Sequence, residues 1–341
     1  MRKFTGFNRG INIGGWLSQC TFEKEHLENF IMEKDMQIIK EMGVDHVRLP
    51  IDYSLIEFED GTPNESGYFY IDLCVAWCEK YSLNLIIDLH RAAGYTFTNP
   101  QESVSFFYNY SLQERFFNLW SRLAQRYGKY NFIAFELLNE IVDPSVTNSW
   151  NKIASHTISL IRSYAPKTWI LVGGTCYNSI TTVKDIACPF DDRVAYTFHF
   201  YEPYLFTHQG AYWEKTMPSN FRVEYPLTPY EYIEISQKKL NGNFVGIFHN
   251  SDSKANCMNV WMEIFSNVAK IAEERNISLY CGEYGVINLS NPQYALAWHK
   301  DMYTIFEKFG IGRAIWSYKG MDFGLTDCHY KEIISELITL L

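Results

Sequence analysis

The chain has 341 residues, 47% of them hydrophobic and 20% charged. That is enough apolar material for one large α/β barrel or two ordinary domains, and it argues against disorder. A formal net charge of -9, without a cluster of Lys and Arg, argues against a nucleic-acid partner, because phosphate binding depends on clustered cations. No apolar run approaches the ~20 residues needed to cross a bilayer, and Met1 to Gly15 lacks the basic, apolar and small-residue regions of a signal peptide. The expectation is a chain with no membrane partner, monomeric, and either cytoplasmic or secreted with its signal trimmed.

In chain order, short β-rich runs alternate with segments of helical period. The predicted strands are residues 10–16, 46–51, 85–90, 133–140, 169–174, 194–201, 278–285 and 313–318. Between them, residues 23–42, 71–81, 112–127, 148–164, 256–275 and 292–309 carry apolar residues at helical spacing. Eight strands with intervening helices predict a single α/β domain over residues 1–341, a (β/α)8 TIM barrel, since no Gly-rich phosphate loop follows the first strand. Residues 202–255 break the rhythm. They are rich in aromatics, Pro and Asn, with helical period only around 230–240. A long insertion after strand 6 belongs to a loop of the catalytic face, so a subdomain over the cleft is expected there.

Eight cysteines lie at irregular spacing, several inside apolar periodic segments, a pattern of free buried thiols rather than disulfides. Cys74 and Cys78 are four apart with no second pair at zinc-finger spacing, and the remaining histidines lack clustered ligands, so neither a metal nor a cofactor is expected.

Polar residues at the C-terminal ends of barrel strands read as catalytic. These ends offer Asn12 and Trp16, Arg48, Asp88 and His90, Asn139 and Glu140, His199 and Tyr201, Glu283, and Trp316. Such residues are seldom buried without partners, so packing is a poor explanation for the set. Two apolar runs stand out: A-F-E-L-L-N-E ends in Glu140, and L-Y-C-G-E-Y-G carries Glu283. Two carboxylates converging on one cleft are what glycoside cleavage requires, one as proton donor and one as nucleophile or base. Glu136 competes with Glu140, but its deeper position favours a buried ion pair, for which Arg48 is the candidate.

The same residues carry a resemblance. R-L-P at Arg48, D-L-H at His90, L-L-N-E at Asn139 and Glu140, H-F-Y at His199, G-E-Y-G at Glu283 and I-W at Trp316 resemble glycoside hydrolase family 5. With the opening G-I-N-I-G-G-W, the chain is most similar to the small unsecreted clostridial endoglucanases of that family, and more distantly to fungal exo-β-1,3-glucanases. The resemblance implies a cellulase-type, retaining β-glycoside hydrolase acting on a β-glucan or its oligosaccharides. It makes Glu140 the acid/base and Glu283 the nucleophile. Arg48 and Tyr201 would hold Glu283, His199 would contact the acid/base, Asn139 and His90 would bind sugar hydroxyls, and Trp316 would be the platform under the cleaved sugar. The neighbouring Glu283 anion would raise the pKa of Glu140.

Trp16, Tyr204, Phe206 and Trp213 are candidates for sugar stacking, with packing as the competing reading. Arg91 departs from the family's H-H at that strand end, and together with residues 202–255 it leaves linkage open. An exo-β-1,3/1,6-glucanase, a β-glucosidase and a mannanase are the enzymatic alternatives. A catalytically inert carbohydrate-binding barrel is the non-enzymatic one, and it has no need of both glutamates.

Overall fold

Strands covered by helices on one side and by the barrel interior on the other must be apolar along their whole length, and six of the eight are buried at every residue. The computed structural model describes residues 1–99, 103–189, 191–249 and 254–341. Its strands are β1 (Arg9–Asn12), β2 (His46–Asp52), β3 (Asn84–Arg91), β4 (Ile133–Glu136), β5 (Trp169–Gly173), β6 (Val194–Phe200), β7 (Ser278–Tyr284) and β8 (Gly312–Ile315). All pair in parallel in chain order. β8 returns to β1 with Arg313 opposite Arg9 and Ile315 opposite Ile11, which closes the barrel.

The long outer helices start where the local sequence stops them from starting earlier. Asn64, Asn109, Asn256 and Asn291 each accept a backbone N–H in the first turn of helices Glu65–Tyr81, Tyr110–Tyr127, Cys257–Glu274 and Pro292–Phe309. Each such cap contributes about 1 kcal/mol. The predicted helix over 23–42 is instead two, Lys24–Asn29 and Glu33–Glu41, because Asp35 turns its carboxylate back onto the Met32 N–H and begins a new helix there.

The barrel interior is built in layers. At the N-terminal end Phe4 and Phe7 stack at 4.3 Å and, with Ile86, Trp169, Leu171 and Tyr280, form an apolar plug separate from the shell between strands and helices. Beside it His46 Nε2 meets Tyr280 Oη at 2.7 Å. Gly10 makes this possible, since a Cβ there would lie 2.2 Å from His46 Nε2. Above the plug lies a charged layer of Arg48, Asp88 and Glu136, each fully buried. Beyond it the C-terminal strand ends open into the cleft.

Three strands end three or four residues earlier than predicted, among them β8, which stops at Ile315 so that Trp316 lies beyond it. β4 stops at Glu136, so residues 137–140 form an irregular segment in which Glu140 has φ +42. β1 stops at Asn12, and Trp16 turns into the core. Among the described residues between β6 and helix Cys257–Glu274 lie the short helix Tyr204–Thr207, the helix Pro229–Lys239 opened by a Thr228–Glu231 capping box, and a 3-10 turn at Gly246–Phe248. Positions 250–253 of the predicted insertion lie outside the described residues.

Candidate active site

Arg48, projecting inward from β2, organises the site. Its Nε and Nη2 donate to the two oxygens of Glu136 at 2.7 and 3.1 Å. Nη1 reaches Asn12 Oδ1 at 3.0 Å and Glu283 Oε1 at 2.8 Å. Nη2 also donates to Asn139 Oδ1 at 3.0 Å and lies 3.1 Å from Asp88 Oδ2. Only the rigid fork of a guanidinium can serve so many acceptors from one point. The pairing of Arg48 with Glu136 is therefore architecture, and it leaves one donor for Glu283.

Glu283 receives a second hydrogen bond on Oε2 from Tyr201 Oη at 3.0 Å. Strict alternation along β7 from the inward Tyr280 would turn Glu283 away from the interior. A bulge prevents this: Phe198 pairs with Cys281 and His199 with Glu283, so Gly282 is skipped and the carboxylate is re-aimed into the cleft.

Glu140 presents Oε1 to His199 Nδ1 at 2.8 Å, and the same nitrogen lies 3.5 Å from Glu283 Oε2. One ligating atom each from Glu140, His199 and Glu283 fall within 4.8 Å of one another. A trio so spaced could hold a cation, but a cation beside the Arg48 guanidinium is electrostatically unfavourable. Proton transfer suits the arrangement better. Burial first, with Asp88 and Glu136 adding to it against the pull of Arg48, pushes the Glu140 carboxyl up to about 8. The expected rise is present, but burial is its main cause and the Glu283 anion is not among the principal contributors. Burial likewise pushes His199 down to about 4 and His90 down to about 3, so both rings are neutral near pH 7.

The remaining predicted residues divide. Asn139 is buried with Nδ2 unpartnered among the described residues, a free donor beside the carboxylates. His90 is held by Asp88 at 2.6 Å and its ring lies parallel to Trp316 at 5.8 Å. Gly14 leaves the room that the Trp316 ring occupies. His90, Tyr201, Tyr204, Trp213 and Trp316 all face a cleft of about 790 Å³ that contains Glu140, His199 and Glu283.

Three candidates are corrected. Trp16 is fully buried, donates Nε1 to Leu27 O and stacks on Trp77, so no sugar reaches it. Phe206 is also fully buried, packed against Tyr225. Arg91 does not line the cleft; it faces Asp52 at 3.5 Å and covers the Phe97 ring, so its influence on substrate would pass through Phe97.

Other lining groups escaped the sequence reading. His208 stacks on Tyr204 at 4.0 Å, and Tyr177, Phe244, Glu202 and Glu214 share the cleft. Tyr95 donates to the Glu140 carbonyl at 2.5 Å and steadies the irregular backbone there. Glu202 directly follows H-F-Y, the one signal that could have found it. The others depend on loop conformation.

Over residues 10–322 the sequence matches the family Cellulase (glycosyl hydrolase family 5). Endoglucanase C of Acetivibrio thermocellus is 41% identical, across 98% of this chain and 98% of its own length. Cellodextrinase A of Ruminococcus flavefaciens is 41% identical over 92% of this chain and 86% of its own. A solved hyperthermophilic endo-beta-1,4-glucanase in complex with substrate superposes with a TM-score of 0.77 at 22% identity, covering 98% of this chain and 96% of that one. Barrel, strand-end carboxylates and sequence agree: the chain belongs to the cellulase family, glycosyl hydrolase family 5.

Proposed function

We propose that this glycoside hydrolase cleaves β-1,4-glucan chains internally, with retention of anomeric configuration, by double displacement. The carrying observation is the pair of carboxylates with oxygens within 4.8 Å, one of them pushed up to about 8. Retaining enzymes hold their two carboxyl groups ~5–5.5 Å apart, too close for a water between them.

In the first step Glu283 attacks the anomeric carbon, while Glu140 gives its proton to the departing glycosidic oxygen. Arg48 and Tyr201, both donors to Glu283, orient the attacking oxygen. Esterification removes a negative charge close to Glu140 and lowers its proton affinity. Glu140 then takes a proton from water as that water attacks, which regenerates Glu283. The free Asn139 Nδ2 is suited to the 2-hydroxyl of the cleaved sugar, where a hydrogen bond strengthens toward the oxocarbenium-like state. Trp316 supplies an apolar face beneath that sugar.

The wall of the cleft formed by Tyr204, Trp213 and Phe244 comes from the insertion after β6, and it would set which chain lengths fit. Similarity to both an endoglucanase and a cellodextrinase supports a β-1,4-glucan or its soluble oligomers as substrate. The test is to size the products from carboxymethylcellulose, cellohexaose, laminarin and mannan. Internal cleavage of β-1,4-glucan is expected; release of single end units from laminarin or mannan alone would overturn the reading. Glu283→Ala should lose 10³-fold or more of kcat, since half of a paired mechanism does not work singly. Near-normal turnover would remove Glu283 from the role.

A further inference from the structure

Behind the acid/base pair the chain adopts a conformation that side-chain-bearing residues disfavour. Cys176, Tyr177 and Asn178 follow one another at φ +54, +59 and +53, all left-handed, where Cβ crowds the following carbonyl. This run brings the fully buried Asn178 amide against the far side of His199, with Nδ2 3.5 Å from His199 Nε2. Two glycines keep the space open. A Cβ on Gly173 would lie 2.2 Å from Asn178 Oδ1, and one on Gly282 would lie 3.1 Å from His199 Nε2.

A neutral imidazole carries one proton, and its two neighbours decide where. On one side Nδ1 faces Glu140 Oε1 at 2.8 Å and Glu283 Oε2 at 3.5 Å. Glu283, the nucleophile, reacts as an anion, and a bare lone pair aimed at its Oε2 would be repelled, so Nδ1 bears the hydrogen. Nε2 is then an acceptor and needs a donor, and the Asn178 amide N–H is the group in reach.

The consequence falls on Glu140. An Nδ1–H that donates to Oε1 marks that oxygen as the carbonyl oxygen of the protonated acid, so the acidic proton must sit on Oε2. Oε2 meets no protein donor among the described residues, and the side chain is 14% exposed, toward the cleft. We infer that Asn178 is a positioning residue which, by fixing the Nδ1–H tautomer of His199, places the Glu140 proton on the oxygen facing the glycosidic bond. The opposite tautomer would draw the acid's O–H onto Nδ1, away from the substrate. This inference rests on the acid/base assignment of Glu140 given above.

Two measurements test it on the intact enzyme. Nitrogen-15 NMR with labelled histidine reports which ring nitrogen is protonated. His199 is expected to show protonated Nδ1 and bare Nε2 near pH 7, and the reverse overturns the inference. The second uses Asn178→Gly, which tolerates the left-handed backbone and removes the amide. Its kcat/KM on cellotetraose should fall about tenfold, the equivalent of one buried hydrogen bond. On dinitrophenyl β-cellobioside, whose leaving group needs no proton, the change should stay within about twofold. Equal losses on both substrates, or none, overturn it. Glu140→Ala serves as the reference and must show the same split more steeply. Should Glu140→Ala lack the split, the acid assignment falls and this inference with it. Should only Asn178→Gly lack it, this inference alone falls.

Discussion

Replacing Arg48 by Met removes a cation shared by three buried carboxylates. In the parent, Arg48 meets Glu136 at 2.7 Å, Glu283 at 2.8 Å and Asp88 at 3.1 Å, and its side chain is fully buried. Removing one partner of a buried ion pair costs about 3–5 kcal/mol, because the other charge is stranded out of water. Here the stranded groups have a partial escape, since burial already pushes Asp88 up to about 7 and Glu136 upward. A carboxyl whose folded pKa is raised contributes stability that is fully present below its unfolded value and lost as pH rises through the folded one. The loss in Arg48→Met should therefore be about 4 kcal/mol at pH 8, within that range, and clearly smaller at pH 5, where the stranded carboxyls take up protons. Equilibrium denaturation in urea at both pH values measures this. Adding Glu136→Leu should recover about half of the loss, since an apolar side chain replaces a stranded anion. Activity should stay low in the double variant, because Glu283 still lacks its donor. A single variant within about 1 kcal/mol of the parent at pH 8, or an equal deficit at both pH values, would refute the shared-cation picture.

Glu140 must enter the reaction protonated, so kcat/KM on cellooligosaccharides should fall as pH rises through about 8. A profile flat to pH 9, or an alkaline limb near 5, would deny it that role. Trp213→Ala should raise KM for cellohexaose several-fold, since stacking a ring on a sugar contributes about 1 kcal/mol, and leave cellobioside kinetics unchanged. An equal effect on both would move Trp213 out of the chain-length wall.

The periodicity was sufficient for the barrel because buried parallel strands and amphipathic helices follow repeating patterns of apolar residues. The strand-end polar residues were legible for a related reason: Arg48, Glu140, His199 and Glu283 have no place in an apolar strand unless a site requires them. Geometry below the level of the pattern was not. Nothing in L-Y-C-G-E-Y-G announces the bulge that turns Glu283 inward, and the irregular exit after Glu136 lets Asn139 and Glu140, adjacent in sequence, meet Arg48 and His199 respectively. Trp16 and Phe206 show the reverse failure. An aromatic near a strand end or in a loop reads equally as platform or packing, and only the surrounding side chains decide. Asn178 could not be found at all, because its position depends on three successive left-handed residues that no propensity favours.

The stereochemistry of the first-formed product tests the two-glutamate mechanism most directly. Proton NMR during the first turnovers on cellotetraose should show the β-anomer appearing first and the α-anomer growing only with mutarotation, as a Glu283-bound intermediate requires. An α-anomer formed first would mean direct displacement by water, and would contradict the assignment of Glu283 as nucleophile.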